Sequence, residues 1–420
     1  LRSGMIFVVL IGALVAFYPY AVESEITDVT FIRTMIVVLS LNGVVDYFFL
    51  GKYRVLLLAD QRGYVISIAQ MIGTIATMVV SIVLIEMEAS AILVKFSTAV
   101  IYILRAAAVA FYVRRHYSHL SFRAKPNMSA LGQRWDALLH QIVGMVVNNT
   151  SVVLLTLFLK VNALVEVSVY SVYNLVTYSL SSVMNAFTNA LSAGFGQVIS
   201  TNETDVLRRS YSSYEYALFL IVFIMYSCMA TMLHPFVALY TATFSDGGNY
   251  VRWSLVVLFT LSGLLQSLRM PGLTLIMAAG HYRQTRGRAI LEAVINLVVS
   301  LALIWPLGLN GVLIGSCVSY LYRSTDVIVY VARHFVPGSL KKTAQRLLRN
   351  FIASGVMVAL GIVLLPQWTD SWVVWALATV GFGIADCAVL VGVNLLFEPA
   401  EFKELIGRVK GIVTRKGSKA

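Results

Sequence analysis

Long apolar runs follow one another through almost the whole sequence, and this pattern constrains the fold more than any other feature. A bilayer's hydrocarbon core is roughly 30 Å thick, so a helix needs about 20 apolar residues to cross it. Hydrophobic residues make up 59% of the chain and charged residues 12%, and the mean hydropathy is +0.80. One water-soluble core cannot bury that much apolar surface. The sequence therefore predicts an all-α polytopic membrane protein.

Twelve segments are predicted to be transmembrane helices. They are too long and too continuously apolar for the strands of a membrane barrel, which alternate over about ten residues. The segments lie near 5–22, 29–50, 64–85, 90–113, 137–159, 164–190, 214–237, 253–279, 288–307, 311–332, 347–366 and 372–397.

The net charge of +12 is interpreted as a topology signal and not as a sign of nucleic-acid binding. When loops are assigned alternately to two sides, one side holds most of the basic residues, including Lys342 and Arg346. The opposite loops hold only Lys160 and Arg252. By the positive-inside rule, both ends of this chain are predicted to be cytoplasmic. Membrane lipids are expected partners, because the basic side attracts anionic headgroups.

Three arginines lie deep inside predicted helices. At 1.5 Å per residue, Arg105, Arg269 and Arg323 are about 12, 15 and 14 Å from the cytoplasmic ends of their segments. An arginine facing lipid at such depth costs at least roughly 2.5–3.5 kcal/mol, so each is expected to face a cavity or a partner. Arg288 and Arg349 begin their segments, where a long side chain can reach the headgroups.

Helix geometry separates Arg323 from the other two. Partners on one helix lie three or four residues apart, and Arg323 has Asp326 at that spacing. An intrahelical pair that tightens a packed bundle is therefore an alternative to a cavity role for Arg323. Arg105 and Arg269 have no acid at those positions, so each is predicted to meet an acid on another helix or an anionic ligand.

Pro271 and Gly272 follow Arg269 within "QSLRMPGLTLIMAAG", residues 266–280. Proline removes a backbone hydrogen bond and kinks a helix. Transporters use such interrupted helices at binding sites and bending points. The pattern predicts a cation beside a gating point; a static kink that improves packing is the alternative.

A polar stripe runs along the segment 164–190. Its members recur at steps of three or four and so share one helix face. The stripe fits the wall of a water-filled path for sugars or other polar cargo, and hydrogen bonding between packed helices is the alternative. The stripe consists of Ser171, Asn174, Tyr178, Ser181, Asn185 and Asn189, and "VVNNTS" on the preceding helix adds Asn148, Asn149 and Thr150.

Four acids inside predicted helices are candidates for ion coupling. A carboxylate in a membrane span can carry a proton or bind a cation such as Na⁺. Asp46 and Glu292 lie about one turn from the cytoplasmic face, whereas Asp386 lies near mid-membrane on the last helix. Asp326 is the fourth. The sequence does not choose among them, or between H⁺ and Na⁺.

The run from Arg269 to Ser319 carries motifs of a known family. It resembles the polysaccharide-transporter branch of the multidrug/oligosaccharidyl-lipid/polysaccharide (MOP) flippase superfamily, whose best-known members are the Wzx-type flippases. "YFFLGKYRVLLLADQRGY" is similar to the family's loop after its fourth helix, and "VVNNTS" falls where the second lobe opens. The matching elements are the Arg-Xaa-Pro start, an Ala-Gly before a short basic loop, Glu292, Asn296 and Ser300 in "EAVINLVVS", and Gly308, Gly311 and Gly315 in "GLNGVLIGS".

The resemblance implies a fourteen-helix, MATE-like fold of two six-helix lobes followed by two extra helices. The twelve predicted helices would then be the third to fourteenth, and a missing N-terminal piece is expected before Leu1. The chain would comprise a four-helix N-terminal lobe, 1–113, an inter-lobe loop, 114–136, a six-helix C-terminal lobe, 137–332, two additional helices, 333–397, and a basic tail, 398–420.

The resemblance also implies a transporter, not an enzyme, in a bacterial cytoplasmic (inner) membrane. Its cargo would be an undecaprenyl-diphosphate-linked oligosaccharide repeat unit, flipped by alternating access for cell-surface polysaccharide or lipopolysaccharide biosynthesis. Arg105 and Arg269 would contact the diphosphate or acidic sugars. An H⁺ or Na⁺ coupling ion, a polysaccharide polymerase and chain-length proteins are the implied partners. Neither a cofactor nor a metal is expected, because Cys228, Cys317 and Cys387 show no ligand spacing.

Three other functions remain open. A cation-coupled multidrug exporter of the same superfamily would share the fold, but its cargo should prefer buried acids and aromatics. A flippase for a lipid-linked peptidoglycan precursor is chemically close to the main interpretation. A membrane-embedded glycan polymerase or ligase would be expected to present a sizeable outer loop, and the predicted outer loops are short.

Overall fold

The protein is mainly helical in the residues that its computed structural model describes. These residues are 2–21, 28–60, 62–117, 134–159, 163–200, 204–245, 247–365 and 371–403, and they include no strand. Within them, eight helices are long and apolar enough to cross a membrane. The chain is therefore an all-α polytopic membrane protein.

The chain forms two compact units, Leu1–Asn127 and Met128–Ala420. The division falls inside the predicted inter-lobe loop, 114–136. The second unit contains both the predicted six-helix lobe and the two helices that follow it.

In the first unit, a local signal explains where the helix Val29–Val45 (α2) begins. The Asp28 carboxylate accepts hydrogen bonds from the backbone N–H groups of Thr30 and Phe31, at 2.9 and 3.2 Å, and so caps α2. After α2 the helix widens into a π-helical stretch, Asp46–Leu50, and then continues as the helix Gly51–Ala59 (α3) past residue 50, where the predicted segment ends. The helices are α1 (Arg2–Ala21), α2 (Val29–Val45), α3 (Gly51–Ala59), α4 (Gly63–Glu86) and α5 (Ala91–His116).

The second unit is built from eight helices in its described residues. Its large apolar core is formed mainly by α6 to α11. The helices are α6 (Arg134–Phe158), α7 (Ala163–Ser200), α8 (Thr204–Tyr240), α9 (Trp253–Leu268), α10 (Met270–Ala278), α11 (Tyr282–His334), α12 (Ser339–Leu364) and α13 (Trp372–Phe397).

Helix α11 is a hairpin of two arms that meet at Gly308. This residue has φ 55° and ψ −131°, a conformation that disfavours any side chain. The arms pack closely, because a Cβ at Gly311 would collide with the backbone of Leu303, and one at Gly315 would collide with Ser300. The motif glycines therefore allow the close helix approach expected of a small-xxx-small face.

Several helices extend beyond their predicted segments. The segment 191–213, between two predicted spans, is largely helical, because α7 continues to Ser200 and α8 begins at Thr204. Helix α12 begins at Ser339 and not near 347. Apolar runs mark the part of a helix that can lie in hydrocarbon, and a helix can continue beyond that part.

Candidate functional site

A polar cavity of about 440 Å³ lies among α6, α7, α9 and α11 in the second unit. Amide and hydroxyl side chains dominate its wall. It gathers most of the predicted stripe, namely Asn148, Asn149, Asn174, Tyr178, Ser181 and Asn185. Asn189 lies in α7, but its side chain is outside the described residues.

Some stripe residues bond to their own helix. The Ser171 hydroxyl donates to the Val167 carbonyl at 2.7 Å, and Ser171 does not line the cavity. The Asn149 amide donates to the Met145 carbonyl at 2.8 Å, although Asn149 is at the cavity wall. Neither of these bonds joins two helices, so they do not amount to the hydrogen bonding between packed helices that was the alternative. The water-filled path stays a prediction.

The sequence analysis missed the opposite wall of the polar cavity. The Gln266 amide of α9 donates to the Asn148 side-chain oxygen at 3.3 Å. Gln266 precedes Arg269 by three residues, so the spacing that places them on one helix face was available in the sequence. This wall is also lined by Ser262, Ser316 and Tyr320. No periodic pattern in the sequence predicted these three residues.

A second, charged cavity of about 340 Å³ adjoins the first. Arg269, Glu292 and Arg323 line it, and Val147 and Asn148 line both cavities. Tyr320 of the polar cavity also lies 5.0 Å, from ring centroid to guanidinium carbon, from Arg269. Hydrogen-bonding groups and cationic groups are therefore neighbours in one region.

Arg269 stands at the break between α9 and α10. Its guanidinium Nη1 pairs with Glu292 Oε1 of α11, and its side chain is 13% exposed. Of the two predicted alternatives, an acid on another helix or an anionic ligand, the acid is present. One nitrogen of the fork is engaged by a side-chain hydrogen bond among the described residues.

The pair belongs to a larger network, which we name the Arg269 cluster and define as Arg269, Arg288, Glu292, Arg323 and Asp326. Arg323 Nη1 lies 2.8 Å from Asp326 Oδ2, and its Nε lies 3.6 Å from Glu292 Oε2. Arg288 also pairs with Asp326 and does not simply snorkel. Arg323 thus both forms the intrahelical pair and lines the cavity. Three arginines face two acids, which leaves one positive charge in excess.

Gly272 has a packing role in this region. A Cβ at Gly272 would collide with Val327 of α11, so the glycine lets α10 approach α11 closely. Pro271 is buried at the start of α10. The helix break is present, and static packing accounts for the glycine; a gating role stays a prediction.

Arg105 lies in the first unit beside a cavity of about 540 Å³ between α4 and α5, whose lining is mostly apolar. Its guanidinium carbon lies 4.2 Å from the ring centroid of Tyr102, a cation–π contact. The Tyr102 hydroxyl donates to Asp46 at 3.1 Å, and Arg54 pairs with the same carboxylate at 2.6 Å. Arg105 is therefore in contact with the ring of Tyr102, and the hydroxyl group of this tyrosine is hydrogen-bonded to Asp46.

The four candidate coupling acids fall into two kinds. Asp46, Glu292 and Asp326 each pair with an arginine. Asp386, fully buried on α13, contacts Ser227 instead and pairs with no basic side chain among the described residues.

A second buried network was not predicted. We name it the Arg346 cluster, and its centre is Arg346, which is 1% exposed. Arg346 lies 3.0 Å from Glu215 and 2.6 Å from Glu398, and Lys342 lies 2.6 Å from Glu401. The cluster consists of Glu215, Lys342, Arg346, Arg349, Glu398 and Glu401, three basic and three acidic residues.

Lys342 and Arg346 were assigned to a loop, whereas both lie in α12. Their location on the cytoplasmic side stays a prediction. The sequence around Lys342 and Arg346 does not show that they are paired, because the acids that neutralise them come from α8 and from the chain after α13. Burial raises the pKa of Glu398, but hydrogen bonds and charge from Arg346 and Arg349 outweigh it and hold that pKa below its usual value. Burial likewise opposes Lys342 and Ser212, whose contacts lower the pKa of Glu401.

No protein-family model matches the chain, and no curated protein is significantly similar to it.

Proposed function

We propose that the protein is a flippase that moves undecaprenyl-diphosphate-linked oligosaccharide repeat units across a bacterial cytoplasmic membrane by alternating access. One observation carries the proposal. The polar cavity and the charged cavity adjoin at Asn148 inside a bundle of apolar helices. A cargo that suits both must present hydroxyl groups beside an anion and must enter from a membrane.

The chemistry of the two walls matches such a cargo. Asparagine, glutamine, serine and tyrosine side chains donate to and accept from sugar hydroxyls. Arginine binds phosphate through a planar fork of donors, often with two parallel hydrogen bonds. Arg269 is suited to this role, because the described residues use only part of its fork and its cluster has an excess positive charge.

Glu292 gives this site a cycle of charge exchange. In the described state its carboxylate occupies Arg269 and also approaches Arg323. A diphosphate entering the charged cavity would compete with Glu292 for the same guanidinium. Binding and release of cargo would then swap one buried ion pair for another, without leaving Arg269 uncompensated.

We further propose a twelve-span, MATE-like fold with both ends cytoplasmic. Eight described helices qualify as spans by length and composition, and α11, with 53 residues, is long enough for two. The remaining three spans are assigned to α1, α6 and α7. Shorter apolar helical stretches, Gly4–Tyr18 and Gly144–Phe158, support the first two.

Translocation in proteoliposomes tests the proposed cargo. We expect the purified full chain to flip a polyprenyl-diphosphate-linked oligosaccharide faster than protein-free vesicles do. The same lipid without its glycan, and a glycolipid without the diphosphate, should each be flipped more slowly. Absence of any lipid-linked glycan transport would contradict the proposal, and a preference for a peptidoglycan precursor would redirect it.

The second candidate is a cation-coupled multidrug exporter. It is favoured by Glu292, an acid that lines the charged cavity, and by the pairing of Arg269, which removes an unpaired cation from the cargo path. Efflux of a fluorescent organic cation against its gradient, abolished by Glu292→Gln, would support the exporter. We expect no such efflux.

A further inference from the structure

Asp386 is a buried acid outside both cavities and both charge clusters. Its side chain is fully buried near the middle of α13, where α8 and α12 pack against that helix. Helix α13 contains no lysine or arginine, and α12 contains none from Asn350 to its end. An ionised carboxylate in such surroundings is strongly disfavoured unless a cation pairs with it.

Ser227 is the hydrogen-bonding neighbour of Asp386, and its single proton is shared between two acceptors. The Ser227 hydroxyl oxygen lies 3.2 Å from the Ile224 carbonyl oxygen and also contacts Asp386 Oδ2. A hydroxyl has one proton, and a carbonyl can only accept. If Ser227 donates its proton to Asp386 Oδ2, the contact with Ile224 has no proton; if it donates to Ile224, the contact with Asp386 is a hydrogen bond only when Asp386 supplies the proton.

Two buried oxygen atoms on neighbouring helices lack hydrogen-bond partners in the described part of the chain. They are Asp386 Oδ1 and the hydroxyl oxygen of Ser354 on α12. A short distance along the same helices, the Asn394 amide donates to Asn350 at 2.8 Å, and Arg349 donates to Asn394 at 2.5 Å. Polar groups thus continue from the Arg346 cluster toward Asp386.

Few titratable groups surround Asp386. Helix α8 contributes Cys228, next to Ser227, and His234, which stacks on Trp253 with a centroid separation of 4.2 Å. Helix α12 contributes none between Asn350 and its end. Helix α13 contributes the exposed Cys387. The nearest charged side chains along the polar groups are therefore those of Arg349 and Glu398, the latter about 18 Å away along the helix.

We propose that Asp386 is a proton-binding site, occupied at neutral pH and reached from the Arg346 cluster along the polar side chains of α12 and α13. Binding forms one O–H bond on the carboxyl group, the proton comes from solvent hydronium, and the side chain changes from charge −1 to 0. The site goes beyond the proposed function, because it does not depend on the cargo.

A proton suits the site better than Na⁺. Hard cations require several oxygen ligands at once. Asp386 is contacted by one side-chain oxygen, that of Ser227, among the described residues. A single proton needs only the carboxyl oxygen and one acceptor.

Infrared spectroscopy of the purified full chain in lipid nanodiscs tests the proposal. A neutral carboxyl group gives a C=O stretching band that shifts in D₂O. A carboxylate has no such band. We expect this band at pH 7 in the wild type and its loss in Asp386→Asn. Glu215→Gln is the matched control, because Glu215 is equally buried but paired with Arg346, and it should leave the band unchanged.

A second variant covers the case in which Asp386→Asn does not fold. Ser227→Ala keeps the carboxyl group and removes its partner, so the band should persist at a shifted frequency. The proposal is overturned if the wild type has no such band, or if neither Asp386→Asn nor Ser227→Ala alters it. It is also overturned if NaCl removes the band and choline chloride does not.

Discussion

The Arg346 cluster and the Arg269 cluster each place three basic side chains among buried acids, yet their guanidinium groups are occupied differently. All three nitrogens of Arg346 donate to protein groups, among them Ser212, Glu215 and Glu398. Arg269 has one nitrogen bonded to Glu292 and a ring of Tyr320 nearby. The first cluster is also neutral, whereas the second carries one excess positive charge.

This difference teaches that burial alone does not mark a binding arginine. Arg346 is more deeply buried than Arg269, but its donors are used by the fold. Arg269 has donors that no described residue uses, beside a cavity of hydrogen-bonding side chains, and an anionic ligand can bind these donors. We therefore expect mutations in the Arg346 cluster to affect stability and those in the Arg269 cluster to affect binding and transport.

The largest expected effect is on stability at Arg346. Arg346→Ala leaves Glu215 buried without its cation and should lower the free energy of unfolding by about 3–5 kcal/mol. Lys342→Ala is the control, because Lys342 is 44% exposed, and it should cost at most about 1 kcal/mol. Thermal unfolding in detergent measures both. Equal losses in the two variants would contradict the structural role assigned to Arg346.

The next effect is expected at Glu292, the acid that pairs with Arg269. Glu292→Gln removes the internal competitor, so a short-chain polyprenyl diphosphate should bind about tenfold more tightly, equivalent to about 1.4 kcal/mol. Glu215→Gln, in the other cluster, should leave that affinity unchanged. Calorimetric titration checks both. Unchanged or weaker binding to Glu292→Gln would mean that the acid does not compete with the ligand.

A smaller effect is expected at the polar cavity. Asn174→Ala removes one cavity-lining amide, and a net hydrogen bond contributes about 0.5–1.5 kcal/mol, so glycan-dependent translocation should fall roughly two- to tenfold. Ser171→Ala lies one turn away on the same predicted stripe but outside the cavity. Initial rates in proteoliposomes should therefore be unaffected by Ser171→Ala. Equal effects of the two changes would make the stripe structural.

The smallest effect is confined to acidic pH. The pKa values of Glu398 and Glu401 are lower in the folded state than in the unfolded state. Their contribution to the free energy of unfolding is therefore complete above the unfolded pKa of about 4.3, and it is lost as pH falls through the folded pKa values. At pH values below about 4.3 the melting temperature should decrease, and this decrease should be smaller in Glu398→Gln. An identical pH profile in wild type and variant would exclude Glu398 as a cause.

Sequence reasoning identified the parts of the site that one helix displays. Asn174 and Asn185 share a face of α7 because their spacing fits the helical period, and both line the polar cavity. The depths of Arg269 and Arg323 likewise follow from counting residues. Such features are local, so the sequence contains them directly.

Partners across the fold were not predictable in this way. Glu292 is 23 residues from Arg269 on another helix, and Glu215 is 131 residues from Arg346. No periodicity links such distant positions, and a basic run such as that around Arg346 looks the same in a loop and in a buried helix end. Packing of helices decides which acid meets which arginine.

The most direct test of the account compares two arginines of one cluster in the translocation assay. Arg269 lines the charged cavity, whereas Arg288 pairs with Asp326 outside its lining and is 39% exposed. At matched amounts of folded protein, Arg269→Gln should reduce translocation of the lipid-linked oligosaccharide at least tenfold, and Arg288→Gln should reduce it less than twofold. Wild-type rates in Arg269→Gln, or equal losses in both variants, would contradict the claim that Arg269 binds the anionic cargo.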